Sequence, residues 1–350
     1  MMRIIPTMEI NERVVPPDDQ LADLALWLRD SSTGDWSHDT LRRLVKTRGW
    51  ATGDDDPTLV RTGLPTGDAR LLPAGLAVPV GLAAPSPLAQ ADCFRHVAQV
   101  VRNALGPASV AGSYGEHRPF NAHGPAWGNP YLRWLRPAQS VELRAGAHGP
   151  EVVLTQTDQW AEWLIRQGQG RPMDVTGFLG RLQTNDSAHK PNPANLLLPS
   201  PWLAHDWDVF ERAFAAWLST VSAEQHALGM RLVPAIHGAT GLLLDIYPHK
   251  DRLLIAGAAR SVDLPALGWT PGPLPDDPWD DYPEWRLIGG GIGRVDGKAL
   301  ARTAVDTARA VGLTSPTELK IMHGAQTETS EGDEYSLTFY GLGIHSRGTR

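Results

Sequence analysis

Between Ser187 and Pro201 the chain places four prolines, Pro191, Pro193, Pro199 and Pro201. Proline fixes φ and lacks an N–H, so neither a helix nor a central strand passes easily through such a stretch. The segment predicts a seam. A chain of 350 residues is also longer than one average domain. The expected division is an N-terminal extension over 1–35, a first module over 36–167, a Pro-rich linker over 168–201 and a second module over 202–350. Leu196, Leu197 and Leu198 inside the linker are expected to dock on a neighbouring surface. Hydrophobic residues make up 42% of the chain, enough to fill real cores.

On either side of the seam, helical and strand patterns alternate. In the first half a turn at Pro16-Pro17-Asp18-Asp19 precedes a short helix ending near Trp27 to Asp30. A second helix is expected from Ser37, a good N-cap, to Arg48, with Leu41, Leu44 and Val45 on one face. Strands over 59–64 and 69–80 follow, joined by the turn Pro65-Thr66-Gly67-Asp68. The clearest periodicity lies in 87–105, where Phe94, Val97, Ala98, Val101 and Leu105 form one stripe that Gly106-Pro107 ends. Residues 111–130, rich in Gly, Pro and His, read as a long loop, and strands over 131–135, 140–144 and 151–156 precede a helix over 158–167. The second half opens with a helix over 206–221 carrying Phe210, Phe214, Trp217, Leu218 and Val221 on one face. Strands over 231–236, 241–247, 252–259 and 286–290, a helix over 297–311 and strands over 318–323 and 335–344 complete it.

The halves share a layout. Each has a Gly-Trp pair, Gly49-Trp50 and Gly268-Trp269, then an Asp/Pro-rich turn, strand residues, an apolar-faced helix, a glycine stop and another strand. Such self-similarity suggests duplication. Both tryptophans are expected in cores.

The second half, through Arg252-Leu-Leu-Ile-Ala256, Leu264-Pro-Ala-Leu-Gly-Trp269, Pro283-Glu-Trp-Arg286 and Ser315-Pro-Thr-Glu-Leu319, resembles the TY-Chap family, peptide-binding chaperone-like domains grouped with type III secretion chaperones. The first half, through Leu41-Arg-Arg-Leu44, Gly49-Trp50 and Arg61-Thr-Gly-Leu64, looks like a relative of the same group. The resemblance covers roughly 36–344 and implies α+β modules in tandem, each an antiparallel sheet packed against helices and offering a surface to a client. It carries no catalytic residue set.

Composition narrows the partners. A net charge of -7 without a basic stripe argues against nucleic acid. The single cysteine, Cys93, excludes intrachain disulfides and a multi-Cys zinc site, and its apolar surroundings predict an inert buried thiol. Met1 to Asp30 lacks the basic-then-apolar pattern of a signal peptide, and no apolar run is long enough for a bilayer, so the expected location is the cytoplasm, away from membranes.

Each catalytic pattern fails on its context. Ala111-Gly-Ser113-Tyr-Gly115 approaches a nucleophile elbow, but Pro119, Gly124, Pro125 and Gly128 forbid the helix that must follow it. Gly289-Gly-Gly-Ile-Gly293 before Gly297-Lys298 misses phosphate-loop spacing, and Arg294 replaces the last glycine of a dinucleotide fingerprint. It reads as a strand end turning into a helix. No pair among the twelve histidines has i, i+4 helical spacing.

The expectation is therefore a protein without cofactor or metal that binds a peptide or protein client. The residues expected at the contact are Trp279, Asp280, Asp281 and Tyr282, amphipathic aromatics beside carboxylates in the loop 275–285. An inhibitor or immunity protein for one toxin, or a hydrolase using Ser113, are the alternatives.

Overall fold

A computed structural model describes residues 13–114, 126–157, 177–182, 202–232, 234–239, 241–257, 259, 261–271, 285–322, 325–327 and 332–347. The helices are α1 (Asp18–Asp30), α2 (His38–Thr47), α3 (Pro87–Leu105), α4 (Trp207–Leu228) and α5 (Gly297–Ala310). The first strands are β1 (Arg13–Val14), β2 (Ala51–Thr52), β3 (Leu59–Arg61), β4 (Ala69–Leu72), β5 (Gly75–Pro79), β6 (Leu82–Ala83), β7 (Val110–Ser113), β8 (Pro130–Leu135), β9 (Gln139–Ala145) and β10 (Pro150–Gln156). They are followed by β11 (Phe178–Leu182), β12 (Met230–Leu232), β13 (Ala235–Gly238), β14 (Gly241–Pro248), β15 (Leu253–Gly257) and β16 (Thr270–Pro271). Last come β17 (Trp285–Gly289), β18 (Lys320–Met322), β19 (Ala325–Thr327), β20 (Glu334–Thr338) and β21 (His345–Arg347).

Helices packed on antiparallel sheets make this an α+β fold. The chain divides into two compact units, 1–108 with 131–161, and 109–130 with 162–350.

In the first unit β8-β9-β10-β5-β4-β3-β2 form an antiparallel array. Helices α1 and α3 pack on each other and over β9 and β10. The α3 stripe works as its spacing requires: Phe94, Val97, Ala98 and Val101 are buried. Ser86 caps this helix, accepting from the Ala89 amide at 3.1 Å, and Gly106 ends it at φ 82°. Arg133 on β8 pairs with Glu142 directly across on β9, both at most 1% exposed. Arg144 pairs across to Glu151 on β10 at 2.6 Å. A one-residue slip would separate such buried charges, so these pairs hold the register.

The second unit has two sheets. One runs β12-β19-β20-β11-β7 and is antiparallel. The other runs β16-β17-β15-β14-β13-β18-β21, with only β18 and β21 parallel. Helix α4 packs against α5, β12 and β14, and α5 also touches β17. An aromatic file holds this core: Phe210 and Phe214 stack at 5.3 Å between centroids, Phe214 and Trp217 at 5.9 Å, and Trp217 meets Phe339 edge-on at 5.3 Å.

Several elements differ from the sequence reading. The strand expected over 69–80 is a hairpin, β4 and β5 with Leu72 opposite Gly75, because Pro73 cannot donate to a ladder. The strand expected over 231–236 is cut before Pro234, and β12 and β13 join different sheets. The strand expected over 335–344 ends at Thr338, and a 3-10 turn, Tyr340–Leu342, intervenes before β21. Helix α4 runs to Leu228, two turns past the expected end, where Gly229 at φ 58° stops it. The expected loop over 111–130 opens with the buried strand β7 and belongs with the second unit. Inside the expected linker, Phe178–Leu182 is β11, paired on both sides by β7 and β20. Helix α1, assigned to an N-terminal extension, packs on α3. The helix expected over 158–167 and Leu196 to Leu198 lie outside the described residues.

Both Gly-Trp tryptophans are core residues, Trp50 at 9% and Trp269 at 3% exposure. Trp269 Nε1 donates to Thr307 on α5 at 2.9 Å. The glycine run of 289–293 is, as expected, a strand end leading into a helix: β17 stops at Gly289 and α5 begins at Gly297.

Candidate functional site

In the second unit, the sequence and structure meet at Ser113. It is the last residue of β7, fully buried, and its Oγ donates to Glu224 Oε1 at 2.6 Å. The same oxygen accepts the backbone N–H of Asn129 at 3.1 Å. The Tyr114 amide donates to the Asn129 carbonyl at 3.1 Å, and Tyr340 Oη donates to the Ser113 carbonyl at 3.1 Å. Glu224, on α4, is 1% exposed. Gly128, at φ 145°, lies so close that a Cβ there would stand 2.6 Å from Glu224 Cγ. One carboxylate thus ties the end of β7 to the backbone around Asn129.

The electrostatics of this carboxyl are unusual. Burial is the strongest influence and opposes ionisation. The Ser113 hydroxyl, the Asn129 amide and Thr220 one turn back favour the charged form, and the balance pushes the carboxyl up to about 7. Glu224 Oε2 is buried with no hydrogen-bond partner among the described residues.

This geometry changes the reading of Ser113. A nucleophile needs an exposed hydroxyl and a base to take its proton. Here the hydroxyl is enclosed and spent on a carboxylate. The flexible loop expected at this position is, for Ser113 itself, a strand end. Glu224 and Gly128 escaped sequence reading, yet one signal existed. Extended past Val221, the apolar stripe Phe210, Phe214, Trp217, Val221 reaches Glu224 and then Leu228 at helical spacing. A carboxylate on an apolar stripe marks either a buried partner or a site.

The seven-stranded sheet carries the second group of features. Cross-strand neighbours Ala235, Asp245, Ala256 and Arg286 share one face, as do Tyr247, Leu254 and Ile288. Asp245 is half-buried, and burial pushes its carboxyl up to about 6. Ile288 is 52% exposed, and Leu242 on the same sheet is 37% exposed. A cavity of about 410 Å³ is lined by His237, Thr317, Glu318, Lys320 and Met322. A groove of about 430 Å³ between α4 and α5 carries both signs of charge, with Arg302 3.7 Å from Glu211, and selects no one ligand charge.

The contact residues expected from sequence, Trp279, Asp280, Asp281 and Tyr282, lie outside the described residues. The chain that contains them joins β16 to β17, so its two ends are anchored at one edge of the seven-stranded sheet. Among the described residues, no helix is long and apolar enough to cross a membrane. None of the family models, curated proteins or solved structures compared with this chain matches it.

Proposed function

We propose that this chain is a non-enzymatic chaperone or adaptor of TY-Chap type, acting in the cytoplasm, that holds a peptide or protein client against the seven-stranded sheet of its second unit. The observation that carries this reading is the exposure of Leu242 and Ile288. Of the three large apolar side chains exposed among the described residues, two are on this one sheet. Exposed apolar side chains on a mostly antiparallel sheet suit side-chain pockets of an extended client, whose backbone can add at the sheet edge. The loop of Trp279 and Tyr282 starts and ends beside Ile288's strand and supplies the aromatic anchors. The enclosed Ser113 hydroxyl supports binding over hydrolysis. The Gly-Trp pairs support the tandem relation: each leads into a two-residue edge strand, β2 or β16, of an antiparallel array.

A peptide array scanned with the wild type, Ile288→Asp and Trp279→Ala tests it. Extended apolar peptides are expected to bind the wild type, and each variant to bind about tenfold more weakly. Absence of any bound peptide, or binding that neither substitution alters, overturns the proposal. One tight protein partner in place of many weak peptides would favour an immunity protein.

A further inference from the structure

Independently of which client is held, we propose that the cavity at the Leu242 end of the seven-stranded sheet is a carboxylate site, with Lys320 as its cation and the imidazoles of His237 and His345 on either side. The ladder builds this row. His237 stands directly across from Lys320, and Lys320 directly across from His345. Residues paired in this way share a face of the sheet, on strands about 5 Å apart. Ile236 and Ile321, the neighbours of His237 and Lys320 along their strands, are 1% and 0% exposed, so the basic row lies on the opposite, open face. Exposed Leu242 pairs with His237 and continues the row on its other side.

The cavity of about 410 Å³ draws His237 from β13, Lys320 and Met322 from β18, and Thr317 and Glu318 from the 3-10 turn Pro316–Glu318. The Lys320 ammonium offers charged donors, and an imidazole offers one N–H when neutral and two when protonated. Such charge-assisted bonds to a carboxylate are short and strong.

Glu318 limits the charge of the ligand. It is the one acid among the residues lining this cavity. Its Oε1 accepts from the Thr314 amide and hydroxyl, each at 2.8 Å, and from the Ser315 amide at 3.0 Å. Those bonds hold its carboxyl below the usual range and keep it ionised. A doubly charged phosphate would face that charge with only one lysine to balance it, whereas a single carboxylate is matched by Lys320. Asp245, on the same face, belongs to the neighbouring row, where it pairs with Ala235. Leu242 and Met322 offer apolar surface to the carbon stem of the acid. The ligand is therefore an aliphatic carboxylate, either a glutamate side chain of the client or a small free acid.

Nuclear magnetic resonance of the full chain with ring-labelled histidine tests the site, the His237 signal being assigned from His237→Gln. The N-acetyl amide of glutamate, a monoanion titrated at constant ionic strength, is expected to shift that signal saturably, and the N-acetyl amide of glutamine is not. Lys320→Gln, at an exposed position, is expected to weaken binding about tenfold, and Lys320→Arg to retain it. A His237 signal that does not move, that the glutamine compound moves equally, or whose titration Lys320→Gln leaves unchanged overturns the site. Inorganic phosphate bound more tightly than the glutamate compound overturns the choice of a carboxylate. An extended apolar peptide carrying one glutamate identifies the source. Tighter binding than the glutamate compound assigns the carboxylate to a peptide client, and binding no tighter assigns it to a small free acid. Should no peptide bind while the glutamate compound does, the peptide client is lost and the carboxylate site stands.

Discussion

At Gly128 a single hydrogen atom decides whether the Glu224 centre can exist. The residue combines φ 145° with a Cβ position 2.6 Å from Glu224 Cγ, and an L side chain suffers on both counts. Gly128→Ala is expected to lower unfolding free energy by about 1–3 kcal/mol, read by denaturant titration. Glu224→Ala leaves the Ser113 hydroxyl and the Asn129 amide without their acceptor, at a cost of about 2–5 kcal/mol by the same measurement. In sequence, Ser113 stood out as a serine between glycines, whereas Glu224 went unread although it continues an apolar stripe. That the two are 2.6 Å apart was not visible, because they are 111 residues apart along the chain.

Among the elements, α4 shows what local pattern can and cannot say. Its N-cap, Asp206 accepting from the Val209 amide at 2.9 Å, and its stripe of Phe210, Phe214 and Trp217 follow from spacing alone. Its length did not, because Ser222, Glu224 and Gln225 look like a helix end until the buried partners of Glu224 and Gln225 are known. Gln225, for instance, donates to the Pro248 carbonyl at 2.8 Å. Trp217→Ala should cost about 3–5 kcal/mol and Asp206→Ala only about 1 kcal/mol, a contrast that thermal melts of the two variants will show. Strands were harder to bound. Pro73 and Pro234 cut patterns that read as continuous, and β12 and β13 went to different sheets although only two residues lie between them. Strand pairing is a non-local choice, so alternation reveals that a strand exists but not which neighbour it takes.

For the whole molecule, the boundaries of the units matter most. The second unit includes β7 and β11, which precede residue 202, and both belong to the sheet that carries β20. A fragment spanning 202–350 would lose those two strands, the Ser113 bond to Glu224 and Phe178, whose ring packs on Phe339 at 5.7 Å between centroids. It is expected to melt without a cooperative transition in calorimetry, and a sharp two-state melt would show that β7 and β11 are dispensable. By itself the sequence determined an α+β chain, the faces of α3 and α4, the cap at Ser37, and the burial of both Gly-Trp tryptophans. These follow from periodicity and backbone chemistry acting within one or two turns. The tertiary structure alone decided which strands share a sheet and where the chain divides. It also decided that a serine resembling a nucleophile donates its hydrogen bond to a buried carboxyl group. Each of those outcomes depends on contacts that bring distant residues together, and such contacts leave no fixed spacing in the sequence.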